Sequence, residues 1–402
     1  MTQYQVTVNS ENVQDLFTGD GLARLLENVL NQVLSAQAQE YIGARPYERT
    51  EDRQGYRNGY RSRELKTRIG KLTLSIPRLR DGSFSPELFE RMQRSEQALV
   101  LSLMEMVVNG VSTRKINTVV EELCGTEFPK STVSDLCKKL DPLVEAWNGR
   151  DLSGQEYPFV LVDALVIKVR LNKRVRMHSL LVATGVNEAG FREILGIKLG
   201  GSETEGSWGE LFKWLKDRGL KGVDLVVSDS PKGLVAAIEK HFTGASWQRC
   251  QTHLMRNIMD ACPKSLWGQL HPRVRMIFDA PDMATARELL AKTVREFQDK
   301  ASKAIEKLEE GFEDAMAVMA LPVRYRKKLR TTNGVERLNE EIRRRERVIR
   351  IFPNEESAIR LLGAVLMEKD EEWTCGRMYM NMEEYRIMKM LKEDTSMQQR
   401  AA

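Results

Sequence analysis

Apolar residues recur every three or four positions near the start of the chain: Val13, Leu16, Phe17, Leu22, Leu25, Leu26, Val29, Leu30, Val33 and Leu34. That period gathers them on one side of a helix and predicts an amphipathic helix within residues 10–43, suited to packing or to pairing with a second copy. From residue 45 the period falls to two. GYRNGYRSRELKTRIGKLTLSIPRLRDGSF alternates polar and apolar positions, with turn signals at Asn58-Gly59 and Ile69-Gly70. It predicts a β-hairpin arm in which Arg63–Arg68 pairs with Lys71–Pro77. Residues 86–147 return to the helical period, with Ser112 and Thr113 opening one helix, Gly125 ending it, and Ser131 and Thr132 opening the next.

Beyond residue 155 strands and helices alternate. Strands are expected at Phe159–Val169, Val175–Thr184 and Phe191–Leu199, a helix at Trp208–Arg218, and a strand at Asp224–Ser228. A helix at Leu234–Phe242, a short strand at Ser246–Arg249 and a helix from Thr252 follow. Three strands, helix, strand, helix, strand, helix is the order of a ribonuclease H-like α/β domain, its first three strands antiparallel and the later ones parallel. Residues 263–330 are helical, with Glu and Lys at exposed spacings, and look like an insertion into that domain. The chain thus divides into residues 1–44 (amphipathic helix, a candidate dimerisation element), 45–85 (basic hairpin arm) and 86–150 (helical, helix-turn-helix-like). The α/β core occupies 151–262, the all-helical insertion 263–330, and the core's last part with the C-terminal helices 331–402.

Composition removes several classes. Over 402 residues, 42% are hydrophobic and 30% charged, which is ordinary for a folded soluble protein. No apolar run reaches the ~18–20 residues of a membrane span. The opening MTQYQVTVNSENVQDLF lacks the basic and apolar regions of a secretory signal. Five scattered cysteines suit a reduced, cytoplasmic protein.

The net charge of +5 hides an uneven distribution. Residues 45–80 and residues 324–350 each hold 11 Lys/Arg against 4 Asp/Glu, so the rest of the chain is acidic. Two basic blocks on an acidic body suit a protein that grips a polyanion; solvated charged faces are the plainer alternative. In the first block Arg57, Arg61 and Arg63 interleave with Tyr56 and Tyr60, a pairing suited to phosphate and sugar or base. If 86–147 is a helix-turn-helix rather than a plain bundle, Lys130, Ser131, Thr132 and Ser134 open its recognition helix. In the second block Arg343, Arg344, Arg345 and Arg347 follow Glu336 on one helix, where Glu336, Asn339, Glu340 and Arg343 share a face.

Three carboxylates stand out. Asp163 interrupts the apolar strand FVLVDALVIKV, where an unpaired Asp is costly; Asp229 ends the strand of DLVVSDSPKG, and Glu336 begins the basic helix. Converging, they suit a pair of Mg²⁺ ions, hard cations that take oxygen ligands and assist in-line phosphoryl displacement. Singly, a strand-end Asp serves as a turn residue and a helical Glu as an exposed ion-pair partner. Cys250 and His253 form a C-x₂-H pair. Cys262 and His271 would complete a zinc set only at irregular spacing; the simpler expectations are a hydrogen-bonding pair supporting the active site or a buried structural pair. Asn333 is placed to cap the Glu336 helix.

Three blocks carry a family resemblance: GYRNGYRSRELKTRIGKLTLSIPRLRDGSFSPELF, DSPKGLVAAIEKHFTGASWQRCQTH and TTNGVERLNEEIRRRERVIRIFP. Together they resemble the Mutator-type transposases of bacterial insertion sequences along nearly the whole chain. His241 departs from the family signature, which usually has a small residue there. The resemblance implies that Asp163, Asp229 and Glu336 form a DDE triad using Mg²⁺, with Mn²⁺ as a substitute. It implies hydrolysis of a phosphodiester at a transposon end, then attack by the freed 3′-OH on another. The partners expected are double-stranded DNA (terminal inverted repeats and target) and a second copy of the chain, since two ends must meet, in a cytoplasmic, nucleoid-associated protein. A catalytically silent DNA-binding regulator and a ribonuclease H-like nuclease that does not join strands are the alternatives.

Overall fold

The computed structural model describes residues 21–48, 53–67, 69–80, 84, 86, 97–109, 111, 113–124 and 130–391. The chain forms two compact units, Met1–Lys139 and Leu140–Ala402.

In the first unit, helix α1 (Gly21–Ile42) lies against the hairpin of β1 (Arg57–Thr67) and β2 (Gly70–Leu79). The expected residues Val13, Leu16 and Phe17 lie outside the described residues. Leu34 of α1 and Leu65, Leu72, Leu74 and Ile76 of the hairpin form one apolar core. Glu27 Oε2 and Asn31 Oδ1 accept the backbone N–H groups of Thr73 (2.9 Å) and Ser75 (2.8 Å), so α1 also satisfies the free edge of β2. The strands are longer than the alternation predicts and meet at Thr67 and Gly70. Asn58-Gly59 is not a turn: the register slips between Arg57 and Tyr60, with Gly59 at φ +72°, which is a bulge. Helices α2 (Gln97–Val108), α3 (Thr113–Cys124) and α4 (Lys130–Cys137) pack around Leu103, Ile116, Val120, Val133 and Cys137.

The second unit opens with α5 (Asp141–Asn148) and is built on a five-stranded mixed sheet. Its strands are β3 (Phe159–Leu171), β4 (Arg174–Val186), β5 (Arg192–Gly200), β6 (Leu225–Ser228) and β7 (Ser246–Arg249), in the order β5-β4-β3-β6-β7. The first three pair antiparallel, and β3-β6-β7 pair parallel. Helices α6 (Glu205–Asp217) and α7 (Lys232–His241) cover one face, where Trp208, Phe212, Leu234 and Ile238 bury Val160, Val162 and Leu181. Gly233 lies in the first turn of α7. A Cβ there would stand 2.6 Å from the Glu205 amide, so the two helix starts meet only because the residue is glycine.

Helices α8 (Gln251–Ala261), α9 (Trp267–Phe278), α10 (Met283–Phe297) and α11 (Ser302–Met316) share a second core of Leu254, Ile258, Leu270, Val274, Phe297, Leu308 and Phe312. It is tied to the sheet by Gln248, wholly buried, which donates to Ala315 O (2.7 Å) and accepts from Val318 N (2.6 Å). Helix α12 (Val323–Leu329) leads to α13 (Asn333–Ile349), which packs on β3. Helix α14 (Glu355–Thr374) lies along β5 and α5, and a last helix spans residues 383–391. Among the described residues no helix is long and apolar enough to cross a membrane.

Candidate active site

Strand register brings the first two carboxylates level. Parallel β3 and β6 set Leu161 beside Val227. Two residues further along each chain stand Asp163 and, just beyond the end of β6, Asp229, whose charge acts on the Asp163 carboxyl. Side chains alternate along β3, so Asp163 lies on the face opposite Val160 and Val162 and their helices. Asp229 leaves the end of β6, its Oδ1 accepting the Ser230 amide at 2.7 Å.

Helix α13 supplies the third. Its apolar side, Val335, Leu338 and Ile342, is buried, which turns Glu336 and Asn339 toward β3. Asn339 Nδ2 donates to Asp163 Oδ2 at 2.8 Å. Burial pushes the Asp163 carboxyl up to about 6; Glu336 and Asp229 add to the rise, and the Ala164 amide and His253 oppose it. Glu203, in the turn before α6, is also raised, by burial and then by Asp229.

Cys250 and His253 sit at the start of α8. His253 Nε2 lies 3.6 Å from Glu336 Oε1, and the donor atoms of Cys250, His253 and Glu336 all fall within 4.8 Å of one another. Thr332 gives Cys250 Sγ two hydrogen bonds, from its amide and its hydroxyl, both 3.3 Å. The neighbouring Cys250 holds the His253 imidazolium up to about 9 against burial, with Asp229 and Asp163 adding to the effect. Burial raises the Cys250 thiol, but His253 and Thr332 bring it below its ordinary value. Cys262 and His271 are not part of this cluster. Cys262 lies in the helical core, and His271 lines a groove of about 460 Å³ with Arg275, Lys327 and Arg330.

The donor set fits a hard dication such as Mg²⁺. Glu336 Oε1 and Asn339 Oδ1 are buried without a hydrogen-bond partner, and the charges of Glu336 and Asp229 both act on the Asp163 carboxyl, although the close donor set among the described residues is Cys250, His253 and Glu336. Asp163, Asp229 and Glu336 are the residues that would hold it.

The remaining candidates are distributed. Asn333 is the first residue of α13, with Thr332 at the cap position and no side-chain cap bond; Asn333 Oδ1 instead accepts from Thr252 Oγ1 at 3.1 Å. Arg343 Nη1 donates to Val166 O (3.2 Å) and pairs with Glu346 (2.8 Å), while Arg344 (2.7 Å) and Arg345 (2.8 Å) both pair with Glu341. Arg347 is exposed. In the first unit Arg61 is exposed, Arg63 half-buried, and Arg57 half-buried with Nη2 on Ala44 O at 3.4 Å. Lys130, Ser131 and Thr132 open α4, their side chains outside the described residues, and Ser134 is exposed on it.

The positioning roles of Asn339, Thr332 and Gln248 escape sequence reasoning, as does the presence of Glu203. The helical face shared by Glu336 and Asn339 is the one available signal, and it points at Asn339 alone.

The family described as Transposase, Mutator family, matches residues 1–376. The chain is 47% identical over 388 residues to the transposase for insertion sequence element IS256 in transposon Tn4001 of Staphylococcus aureus, covering 95% of this chain and 99% of that one. It is 41% identical over 393 residues to the transposase for ISRM5 of Rhizobium meliloti, covering 97% and 98% of the two chains. It is also 41% identical over 365 residues to the transposase for IS1081 of Mycobacterium tuberculosis, covering 90% and 88%. Similarity sustained from end to end at this level, over the elements that carry Asp163, Asp229 and Glu336, means that the chain belongs to the Mutator family of transposases.

Proposed function

We propose that the chain is a DNA transposase acting through Asp163, Asp229 and Glu336 as a metal-holding triad. The observation that supports this is the buried Asp163 carboxyl on β3, which is held by Asn339 of α13 and feels the charges of Asp229 at the end of β6 and Glu336 at the start of α13. The strand order β5-β4-β3-β6-β7 with a helical segment between β7 and α13 supports a ribonuclease H-like core carrying an insertion. The basic hairpin β1–β2 and helices α2–α4, read as a helix-turn-helix-like domain, would recognise terminal inverted repeats, and a dimer would bring two ends together.

Water attacks a phosphodiester at the element's end, breaking its P–O3′ bond to leave a 5′-phosphate and a free 3′-OH; that hydroxyl attacks a second phosphodiester, forming a new P–O3′ bond as the 3′-oxygen of the attacked strand leaves. Bound at the triad, Mg²⁺ or Mn²⁺ would supply Lewis-acid stabilisation of the attacking and leaving oxygens. Asn339 fixes the Asp163 carboxylate, so its second oxygen keeps one orientation. His253 carries its proton at neutral pH beside Glu336, where Nε2 can hold a phosphate oxygen. Thr332 orients Cys250 behind that ring.

The test is a strand-cleavage and strand-transfer assay on a labelled duplex bearing the element's own ends, with Mg²⁺ or Mn²⁺. Nicking followed by joined products supports the transposase. Nicking without joining favours a nuclease, and tight end binding without nicking favours a silent regulator.

A further inference from the structure

The turn joining β3 to β4 carries cations that the triad and the Arg343–Arg347 run do not account for. Lys168, Arg170, Lys173, Arg174 and Arg176 are all exposed, and the sequence holds no Asp or Glu between Asp163 and Glu188. The strands stay paired to Leu171 and Arg174, and Asn172 and Lys173 both take positive φ (49° and 64°), the tight two-residue turn that makes a stiff hairpin. The arginines on α13 contrast with this, because Arg343, Arg344 and Arg345 are paired with Glu346 and Glu341 of their own helix.

The hairpin and α13 lead away from the carboxylates side by side. Alternation puts Arg174 and Arg176, level with Leu171 and Val169, on the Asp163 and α13 face, and Lys168 and Arg170 on the opposite face with Val175 and Met177, so cations flank the hairpin tip on both faces. Arg343 Nη1 reaches Val166 O, and beyond the helix Phe352 bridges to β3, exchanging backbone hydrogen bonds with Lys168 and Arg170 at 2.9 Å each. At ~3.3 Å per residue the cations from Lys168 to the turn lie ~17–30 Å along β3 from Asp163. On a duplex of ~3.4 Å per base pair that is ~5–9 base pairs from the cut.

We propose that the β3–β4 hairpin is a duplex-binding prong that holds DNA phosphates ~5–9 base pairs from the scissile bond, along the track that α13 begins. This rests on the DNA-transposing function proposed above. Exposed Val175 and Met177 on the same hairpin would instead suit a protein partner. Charge decides for DNA: five cations without a carboxylate suit a polyanion.

The experiment measures binding of the full chain to an end-bearing duplex as salt is varied, with phosphate-ethylation interference on the same duplex. The variant is Lys168→Gln, Arg170→Gln, Lys173→Gln, Arg174→Gln and Arg176→Gln combined; a control carries Arg170→Lys, Arg174→Lys and Arg176→Lys. Each phosphate that is no longer neutralised lowers the slope of log K against log salt by ~0.9, so the Gln variant should lose ~2–4 units of slope. Its interference at phosphates ~5–9 base pairs from the cut should vanish, while the Lys control keeps both. An unchanged slope with unchanged interference overturns the proposal. So does a Gln variant whose sedimentation mass changes while its DNA slope does not, since that assigns the hairpin to a protein interface. Loss of the slope in the Lys control as well overturns it in favour of a structural role. A wild-type chain that binds no end at all sinks the proposed function along with the prong, and is distinguishable from failure of the prong alone.

Discussion

Asn339 Nδ2 donates to Asp163 Oδ2 across 2.8 Å, tying α13 to β3. The bond joins residues 176 positions apart and fixes a carboxylate that burial and its neighbours would otherwise drive toward protonation. Replacing Asn339 with Ala removes a hydrogen bond to a charged group, worth about 1.5–3 kcal/mol. Cleavage by Asn339→Ala should fall ~10–100-fold. Binding of the end should be unchanged, as read by gel shift beside single-turnover cleavage. Asn339→Asp should be worse than Asn339→Ala, because it adds a fourth negative charge to the site.

The boundary between the units has a consequence for truncation. Helix α5 belongs to the second unit: Arg360 is buried and donates from Nε and Nη2 (2.8 Å) to Asp141, and Trp147 Nε1 donates to Asp370 at 2.8 Å. A chain beginning at Leu140 should melt cooperatively with intact helix and sheet. One beginning after Asn148 should melt several degrees lower, since each hydrogen bond to a charged partner contributes about 1.5–3 kcal/mol. Equal melting of the two truncations would show that α5 adds nothing to the unit.

Asp370 accepts from Ile194 N at 2.6 Å and lies 3.2 Å from Arg150, yet its carboxyl is raised, burial being the largest cause. A carboxyl raised in the folded state contributes stability that is full below the unfolded value, near 3.8, and is lost as pH rises through the folded value. The stability difference between wild type and Asp370→Asn should therefore be larger at pH 4.5 than at pH 7.5. Denaturant melts at the two pH values read this directly, and a difference that grows toward pH 7.5 has the wrong sign.

Much of this architecture is legible locally. The strand and helix periods place β3 to α8 within a few residues, because each element carries its own apolar pattern. Asp163 announces itself as a charge in an apolar strand. What escapes is what depends on distant partners. Asn58-Gly59 carries a turn signature, but the hairpin partner absorbs it as a bulge. The basic run at Arg343 to Arg345 reads as free charge until Glu341 and Glu346 fold onto it, although their i+3 and i+4 spacing is itself a signal. Lys168 to Arg176 alternates with valine, reads as an ordinary strand pair, and acquires meaning only beside α13.

In the proposed function Asp163, Asp229 and Glu336 act together on a phosphodiester. The most direct measurement compares metal-dependent cleavage of an end-bearing duplex by wild type with cleavage by Asp163→Asn, Asp229→Asn and Glu336→Gln, with end binding measured in parallel. Each variant should bind the end with near wild-type affinity and cleave at least ~10³-fold more slowly, a loss of about 4 kcal/mol of transition-state stabilisation. Cleavage at the wild-type rate by any one of the three would contradict the triad.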